Sequence, residues 1–276
     1  FDIDNDGDLE IISGSTDVST KKYCARVDIW HHDGTSLTGW PVVITDYGFS
    51  SIEHSSPAVC DLDGDGDVEI VFGIYTELAG EWKGYLYVFH QDGSLMDGWP
   101  FCTGEGGEVN SGPALSDLDD DGDLEIITGS DNGHVWVLNH NGSVMNGWPK
   151  DIPSWIRSQA IADVDNDGLL EVISGAVDTK SVYVWNPDGS LDRGWPKRTD
   201  GFVYESPIVG DIAGDERLEI IATSFDHKVH AWFHNGTVVP GFPLETGDEI
   251  SSTPCLSDLD GDGDVELAVG SRDMMV

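Results

Sequence analysis

The stretch Asp61-Leu62-Asp63-Gly64-Asp65-Gly66-Asp67-Val68-Glu69 places carboxylates at positions 1, 3, 5 and 9 of a nonapeptide, with a glycine at position 6. Alternate residues can turn their oxygens inward, the glycine permits a sharp bend, and position 7 can offer its backbone carbonyl. Without an ion, four or five carboxylates at close range would repel one another. The stretch therefore predicts a loop that binds a hard cation such as Ca²⁺.

The same nonapeptide pattern occurs six times, and we number the copies loops 1 to 6. They lie at 2–10, 61–69, 117–125, 163–171, 211–219 and 258–266. Successive copies start 59, 56, 46, 48 and 47 residues apart, and a recurring spacing of this length indicates a repeat architecture. The EF-hand is disfavoured because position 12 is not glutamate and the flanks are β-rich, and a β-roll would need nine-residue repeats.

Each repeat is predicted to contain four short strands. In the third repeat, strand A (111–116) precedes the acidic loop, strand B (125–129) follows it, and strand C (135–138) leads into the turn Asn141-Gly142. Asp-Gly and Asn-Gly dipeptides supply the positive φ angles that hairpins need. Strand D ends near Gly-Trp-Pro, a motif that recurs at 39–41, 98–100, 147–149 and 194–196, with Gly-Phe-Pro at 241–243.

Four antiparallel strands at this period predict an all-β fold, a β-propeller with four-stranded blades, in a single domain over residues 1–276. The chain has six B strands but five A, C and D strands, so we expect five complete blades plus part of a sixth. Such a chain would be a fragment of a ring of six to eight blades. The tryptophan of Gly-Trp-Pro is predicted to pack between blades rather than to bind a ligand.

The net charge of −39 comes mainly from the loops, which hold 29 of the 52 acidic residues. A general acidic surface coat, as in halophiles, is the competing explanation. Nucleic acid is disfavoured as a partner because the chain has no basic stripe. No apolar run is long enough to span a bilayer, so no direct membrane insertion is expected. Cys60 and Cys255 are interpreted as small packing residues, whereas Cys24 and Cys102 lie in loops where a disulfide is conceivable.

The chain resembles the FG-GAP/VCBS repeat family, which includes the β-propeller of integrin α-subunits. The resemblance rests on the Asp-x-Asp-x-Asp-Gly loops, on Phe72-Gly73 at the end of a B strand, and on Pro-Ala at 57–58 and 113–114 before the loops. It covers essentially the whole chain and implies a propeller that binds about five Ca²⁺ ions. Position 9 is often aspartate in that family and is glutamate here, and the longer side chain is expected to reach the ion, with both oxygens as one option.

The resemblance assigns the metal ligands to positions 1, 3, 5 and 9 of five loops. The ligands are Asp2, Asp4, Asp6 and Glu10; Asp61, Asp63, Asp65 and Glu69; Asp117, Asp119, Asp121 and Glu125; Asp163, Asp165, Asp167 and Glu171; and Asp258, Asp260, Asp262 and Glu266. Loop 5 (Asp211 to Glu219) has lost the pattern, with Ala213 at position 3 and Glu216 at position 6, and is predicted to bind no Ca²⁺. We hypothesise that Arg217 replaces the ion there by pairing with the loop carboxylates.

The partner surface is predicted on the face opposite the acidic loops, where the B–C and D–A connections vary in length and sequence. The residues favoured for binding are Tyr75, Trp82, Trp155, Arg157 and Tyr204. The nine histidines show no metal-binding spacing, and those near the C–D turns, such as His31 and His90, are interpreted as polar turn residues.

The function expected from the resemblance is that of a secreted or cell-surface, calcium-binding module for adhesion, which binds a protein or a carbohydrate. One alternative is an enzyme similar to the propeller polysaccharide lyases, for which only Lys83, His54 and Arg157 offer candidate groups. Another is a purely structural repeat of a large surface protein. The sequence contains no nucleophile elbow, phosphate-binding loop or zinc-protease motif, which disfavours those enzyme classes.

Overall fold

The computed structural model describes residues 1–18, 23–45, 49–52, 55–78 and 80–273. The chain divides into two compact units, Phe1–Asp151 and Ile152–Val276, which are described separately. Both units consist of β-strands and turns, and every strand pair within the described ranges is antiparallel. No helix among those residues is long and apolar enough to cross a membrane.

The first unit contains three sheets, which correspond to the first three repeats. The three-stranded sheet consists of β1 (Ile11–Asp17), β2 (Cys24–Trp30) and β3 (Val42–Ile44). The five-stranded sheet consists of β4 (Phe49–Ser51), β5 (Ala58–Cys60), β6 (Glu69–Leu78), β7 (Glu81–His90) and β8 (Phe101–Glu105). The third sheet consists of β9 (Ala114–Ser116), β10 (Glu125–Gly129), β11 (His134–Leu138) and β12 (Lys150–Asp151).

The second unit also contains three sheets. The first consists of β13 (Ile156–Ala162), β14 (Glu171–Ala176), β15 (Ser181–Trp185) and β16 (Lys197–Arg198). The next consists of β17 (Ile208–Gly210), β18 (Glu219–Ser224), β19 (Lys228–Trp232) and β20 (Leu244–Glu245). The last consists of β21 (Cys255–Ser257) and β22 (Glu266–Ala268).

The described strands confirm the all-β, blade-based fold predicted from the sequence. Each acidic loop is followed by a B strand, and loops 2 to 6 are also preceded by an A strand, so that six B strands accompany five A, C and D strands. The sequence did not predict β4, which pairs with the extended outer part of β6 through Phe49↔Glu77 and Ser51↔Tyr75. An insertion in the second repeat, around residues 74–84, lengthens the β6–β7 hairpin to ten residues per strand, and β4 adds to it.

Tryptophans of Gly-Trp-Pro connect consecutive blades inside each unit, as predicted. Their rings are buried, and in three of them the indole Nε1 donates a hydrogen bond to a backbone carbonyl in the C–D turn of the next repeat. The bonds run from Trp40 to Gln91 (2.9 Å), from Trp99 to His140 (3.0 Å) and from Trp195 to His234 (2.7 Å). The Trp–Pro and Phe–Pro peptides of all five motifs are cis.

The hydrophobic cores lie between neighbouring blades of each unit. One core joins the first and second blades through residues such as Ile29, Trp40 and Phe72. In the second unit, Ile173 and Trp195 of one blade pack with Ile220 of the next. The β-branched and aromatic side chains of the central strands fill these spaces because both faces of a blade are covered by its neighbours. Cys24 is buried and Cys102 is exposed, and the two are not bonded to each other.

Candidate metal centres and candidate binding surface

The six acidic loops share one backbone conformation. Two positions of each loop have positive φ. Position 4 is left-handed at Asn5, Gly64, Asp120, Asn166, Gly214 and Gly261, with φ between 59° and 80°. Position 6 is left-handed at Gly7, Gly66, Gly122, Gly168, Glu216 and Gly263, with φ between 67° and 98°. The sequence reading recognised position 6 only; the Asn, Asp and Gly residues at position 4 are the signal that could have identified the second bend.

Carboxylates at positions 1 and 5 organise the loop by accepting backbone N–H groups. In loop 4, Asp163 accepts hydrogen bonds from the N–H groups of Asp167 (3.1 Å) and Gly168 (3.0 Å). Asp167 in turn accepts one from the N–H of Leu169 (2.9 Å). In the other five loops, the position-1 aspartate likewise accepts the N–H of position 6. The position-5 aspartate likewise accepts the N–H of position 7. These bonds hold the carboxylates close together at the same end of each B strand.

The glutamate at position 9 has one oxygen bound to the backbone and one directed elsewhere. In all six loops its Oε2 accepts the N–H of position 2, at 2.7 to 3.0 Å. The backbone therefore binds Oε2 of each glutamate, whereas Oε1 accepts no backbone N–H from the residues that the structure describes. Oε1 is buried and has no hydrogen-bond partner in Glu10, Glu171 and Glu219.

Burial makes several of these glutamates weaker acids than usual in the metal-free protein. Glu69, Glu125 and Glu171 are at most 1% exposed. Desolvation by burial raises the pKa of Glu125 to about 7 and that of Glu171 to about 7, and it also raises the pKa of Glu69 and Glu219. A buried carboxylate with an unpartnered oxygen is costly unless a proton or a cation neutralises it.

The side-chain oxygens meet closely enough to hold an ion in several loops. Groups with all ligand atoms within 4.8 Å of one another include Asp61, Asp63 and Glu69; Asp117, Asp119 and Glu125; and Asp163, Asp165 and Asp167. In loops 2 and 3, a carboxylate oxygen of the position-3 aspartate lies within 4.8 Å of one from the position-9 glutamate. Two residues must be this close to bind the same ion. The donor set of carboxylates plus one unpartnered buried oxygen fits a hard divalent cation.

Loop 5 keeps the backbone conformation without the full ligand set. Asp211 accepts hydrogen bonds from the N–H groups of Gly214 (2.7 Å) and Glu216 (2.8 Å). Glu219 accepts two backbone N–H groups, including that of Ala213 (3.0 Å). The hypothesis that Arg217 replaces the ion is not supported, because its side chain forms no ion pair with any residue the structure describes, and only its N–H binds Asp215.

Histidines of the C–D turns contact the acidic loops, which the sequence reading did not anticipate. His31 Nδ1 lies 3.5 Å from Glu10 Oε1, and His90 Nδ1 lies 3.1 Å from Glu69 Oε1. The antiparallel register explains both contacts, because a C strand ends beside the first residue of its B strand, as in the pair Glu69↔His90. The signal in the sequence was the histidine at the end of strand C in the second repeat and directly after it in the first.

Open cavities lie next to three of the loops, each lined by the position-3 aspartate and by residues of the C–D turns. Asp4 and His31 line a cavity of about 320 Å³ beside loop 1. Asp63 lines one of about 450 Å³ with His90 and His140, and Asp165 lines one of about 580 Å³ with His234. The loops and the C–D turns therefore share one side of each unit, as the strand directions predicted.

The candidate ligand residues of the first unit form an aromatic cluster, which we call the β6–β7 cluster. It contains Tyr23, Phe49, Tyr75 and Trp82, with ring centroids of neighbouring pairs 5.1 to 5.8 Å apart. Tyr23 and Trp82 are exposed. The structure thus brings Tyr75 and Trp82 together.

The candidates of the second unit form a second cluster, which we call the Arg157 cluster. The Arg157 guanidinium lies over the rings of Trp155 (5.6 Å) and Tyr204 (5.0 Å), and it donates a hydrogen bond to the Tyr204 hydroxyl (3.2 Å). Tyr204 stacks on Phe225, and the Arg272 guanidinium lies over the Phe225 ring. Of the groups considered for an enzyme, Lys83 forms an ion pair with Glu81 (3.1 Å), and His54 lies outside the described residues.

The repeated antiparallel sheets, the acidic loop before each B strand and the tryptophan bonds between blades define a β-propeller-type repeat protein. The FG-GAP-like repeat family matches the chain at residues 2–72, 117–174 and 163–222. The chain belongs to this family. No curated protein matches the chain by sequence.

Solved structures of other proteins resemble the chain in fold. The C-terminal domain of PilY1 from Pseudomonas aeruginosa matches with a TM-score of 0.57 and 12% identity, over 83% of this chain and 59% of that one. BBS1N, solved in complex with ARL6DN and soaked with mercury, matches with a TM-score of 0.50 and 12% identity, over 83% of this chain and 77% of that one. At these identities the likeness concerns the fold alone.

The family and the fold support a coarse description of the chain. A propeller-like fold built from FG-GAP repeats is typical of protein-binding modules. FG-GAP repeats often bind calcium, and the acidic clusters of this chain can hold a metal ion. Such repeats occur mainly in extracellular proteins.

Proposed function

We propose that the chain is an extracellular, Ca²⁺-stabilised propeller module that binds a protein or a carbohydrate and acts in adhesion. The observation that carries the metal part is the buried glutamate at position 9, whose Oε1 has no hydrogen-bond partner in Glu10 and Glu171. A bound cation would give this oxygen a ligand bond and would remove the repulsion among the neighbouring aspartates.

Five loops would bind Ca²⁺ through positions 1, 3, 5 and 9, with Oε1 of the glutamate as the single ligand oxygen at position 9. Position 7 would add its backbone carbonyl, so that Leu169 in loop 4 is no obstacle. Loop 5 would remain without Ca²⁺ because Ala213 supplies no carboxylate at position 3.

The partner would bind to the β6–β7 cluster, the Arg157 cluster, or both. Trp82 and Trp155 present large exposed rings on connections that lie away from the acidic loops. Aromatic side chains offer contact area at low cost in conformational entropy, and their faces can stack on sugar rings or pack against a protein loop. A large exposed ring next to a polar group is the pattern that interfaces favour.

An extracellular location would supply the ion. Extracellular modules bind Ca²⁺ with dissociation constants of about 10⁻⁴ to 10⁻³ M, so they need the millimolar concentrations outside the cell. At a free Ca²⁺ concentration of about ten times the dissociation constant, each site would add about 1.4 kcal/mol to the free energy of unfolding. Several occupied sites together would then contribute much of the stability that a domain typically has.

The metal proposal is tested by calorimetry on the full chain. We expect about five Ca²⁺ ions per chain by isothermal titration and a large fall in melting temperature in excess chelator. The variant Asp163→Asn with Asp165→Asn removes two ligands of loop 4 and should lose one ion. A melting curve that does not move on chelation would refute the metal proposal.

The partner proposal is tested by screening glycans and extracellular proteins in the presence and absence of Ca²⁺. Any partner found should bind at least about tenfold more weakly to Trp82→Ala or to Trp155→Ala, because buried interface tryptophans commonly contribute 2 kcal/mol or more. Leu169→Ala is the matched control, since Leu169 is exposed on the acidic-loop side. Equal loss of binding in the control variant would argue against this surface.

A further inference from the structure

Loop 1 differs from loops 3 and 4 in the residue beside the position-9 glutamate. His31 follows Trp30, which pairs with Ile11, the residue after Glu10. The corresponding residues in the third and fourth repeats are Asn139 and Asn186, which follow Leu138 and Trp185 in the same register. A nitrogen ligand thus stands beside loop 1 where the other two loops have an amide.

The histidine nitrogen meets two carboxylate oxygens of loop 1. His31 Nδ1 lies 3.5 Å from Glu10 Oε1 and 3.8 Å from Asp4 Oδ2, and the ligand atoms of these three residues all lie within 4.8 Å of one another. Glu10 is 7% exposed, and its Oε1 has no hydrogen-bond partner. The described residues thus give this buried oxygen a 3.5 Å contact with His31 Nδ1 but no hydrogen bond, and a metal ion between the two atoms would provide the missing interaction.

The spacing of these atoms suits a transition metal. Zinc bonds to nitrogen and oxygen of about 2.0 to 2.2 Å at the tetrahedral angle separate two ligand atoms by about 3.4 Å. Imidazole and carboxylate together suit Zn²⁺ and its neighbours in the first transition series, whereas Ca²⁺ takes oxygen ligands almost exclusively. The separations of 3.5 and 3.8 Å are close to this value, and the ligand oxygens of Asp4 and Glu10 lie within 4.8 Å of each other.

The cavity beside loop 1 leaves room for further ligands. It has a volume of about 320 Å³ and is lined by Asp4, His31, Leu37, Thr38, Gln91 and Asp92. An ion between Asp4 and His31 would face this space, so water or an oxygen of a small molecule could occupy a fourth position. Three protein ligands with an open position are the arrangement found where zinc is exposed to exchangeable ligands.

We propose that loop 1 binds a divalent transition-metal ion such as Zn²⁺ through Asp4, Glu10 and His31, and that this ion displaces the Ca²⁺ that loop 1 binds in its absence. The proposal rests on the proposed function only in that loop 1 holds a metal ion. Loop 2 carries no such inference, because His90 Nδ1 already forms a hydrogen bond with Glu69 Oε1 at 3.1 Å.

The experiment uses the full chain, stripped of metal and then saturated with millimolar Ca²⁺. Co²⁺ is titrated as the spectroscopic probe, and its visible absorption reports a nitrogen-containing, low-coordinate site. We expect the Ca²⁺-saturated chain to bind one Co²⁺ ion per chain in a manner that depends on His31. Added Zn²⁺ should displace this Co²⁺ ion. His31→Asn should remove this Co²⁺ binding or weaken it at least about tenfold, since even residues that only orient a metal ligand contribute that much.

His32→Asn is the matched control, because His32 is the adjacent histidine and lies 3.3 Å from Asp8 at position 7 rather than beside Glu10. It should bind Co²⁺ like the unaltered chain. His31→Asn should keep its circular dichroism spectrum and its Ca²⁺-dependent melting, since the chain already has asparagine at this place in two other repeats.

Co²⁺ binding that is equal in the unaltered chain and in His31→Asn would overturn the inference, as would complete displacement of Co²⁺ by Ca²⁺. Neither result would affect the proposed function, which depends on the Ca²⁺-dependent melting of the same samples. If Ca²⁺ did not shift the melting temperature but Co²⁺ still bound in a His31-dependent manner, the calcium proposal would be rejected. The proposal for loop 1 would then stand.

Discussion

At the residue scale, the glycine of Gly-Trp-Pro is required for two separate reasons. Gly194 has φ of +104°, and a Cβ placed on it would lie closer than 3.0 Å to the carbonyl oxygen of Asn235 in the next repeat. Gly241 has a similar φ of +96°, but a Cβ there would meet nothing within 4 Å. Comparing substitutions at these two glycines therefore separates the cost of the left-handed backbone from the cost of steric overlap with the next blade.

We expect Gly241→Ala to lower the free energy of unfolding by about 1 to 2 kcal/mol, the cost of a left-handed non-glycine residue. Gly194→Ala should lower it by a further 1 to 3 kcal/mol or so, because the methyl group overlaps the neighbouring turn. Urea unfolding of both variants at saturating Ca²⁺ measures the difference. Equal losses of unfolding free energy in the two variants would mean that the next blade moves away from the Gly194→Ala methyl group at no cost in stability.

The acidic loops illustrate how far the sequence predicts a site at this scale. Positions 1, 3, 5 and 9 were recognisable because their spacing repeats, and in each of loops 1 to 4 the structure brings three of these side chains together. The roles of individual oxygens were not predictable. Which oxygen of Glu171 binds a backbone N–H, and that His31 faces Glu10, depend on strand register and rotamers rather than on residue type.

At the element scale, loop 5 shows that the loop conformation does not depend on a complete ligand set. Asp211 still accepts three backbone N–H groups, and Glu216 adopts φ of +67° at the position where the other loops have glycine. The double substitution Ala213→Asp with Glu216→Gly would restore the carboxylate and the bend. We expect one additional Ca²⁺ per chain by isothermal titration and a stabilisation of about 1.4 kcal/mol at tenfold saturation.

Glu216→Gly alone is the control for the repaired loop, because it relaxes the backbone without adding a ligand. It should change the melting temperature equally with and without Ca²⁺. If the double variant binds no more Ca²⁺ than the unaltered chain, then the carboxylate at position 3 is not the missing ligand.

The tryptophan bonds between blades can be tested in the second unit. Trp195→Phe removes the hydrogen bond to the His234 carbonyl together with part of the ring. Trp232→Phe is matched to it, since Trp232 is equally buried and packs edge-on against Trp195. We expect Trp195→Phe to cost about 1 kcal/mol more than Trp232→Phe, the usual contribution of one hydrogen bond.

Chemical denaturation at fixed Ca²⁺ measures both tryptophan variants. A smaller loss in Trp195→Phe than in Trp232→Phe would show that the hydrogen bond between blades contributes no stability beyond packing.

Element prediction succeeded where local patterns decide the outcome. The B strands, the C–D turns and the packing role of tryptophan follow from β-branched runs, Asn-Gly or Asp-Gly dipeptides and the repeated Gly-Trp-Pro. Strand β4 was missed because Phe49–Ser51 has no repeated counterpart and pairs only with the part of β6 that an insertion extends. The hypothesis for Arg217 also found no support, because its side chain forms no ion pair with the residues that the structure describes.

At the scale of the whole molecule, metal and pH should act together on stability. Burial raises the pKa of Glu125 and Glu171 from 4.5 to about 7 in the metal-free protein. A carboxyl with a folded-state pKa above its unfolded value stabilises the fold while it is protonated. That contribution is present below pH 4.5 and is lost as the pH rises through about 7.

We therefore expect the metal-free chain to lose on the order of 2 kcal/mol of unfolding free energy for each of these two glutamates between about pH 5.5 and pH 8. Denaturant titrations in metal-free buffer measure this loss, and Glu125→Gln with Glu171→Gln should reduce it. Ca²⁺ competes with the protons for the same oxygens, so its stabilising effect should be larger at pH 8. A metal-free chain that is more stable at pH 8 would contradict the assignment of these pKa values.

The tryptophan bonds give the repeats of each unit a direction. At three junctions within the units, one repeat supplies an indole donor and the repeat that follows offers a turn carbonyl. A gene duplication that copies one whole repeat would therefore copy the donor and the acceptor together and create a correct junction on both sides. Changes in copy number should be tolerated in such a chain far better than deletions of half a repeat, which would leave one junction with two donors or with none.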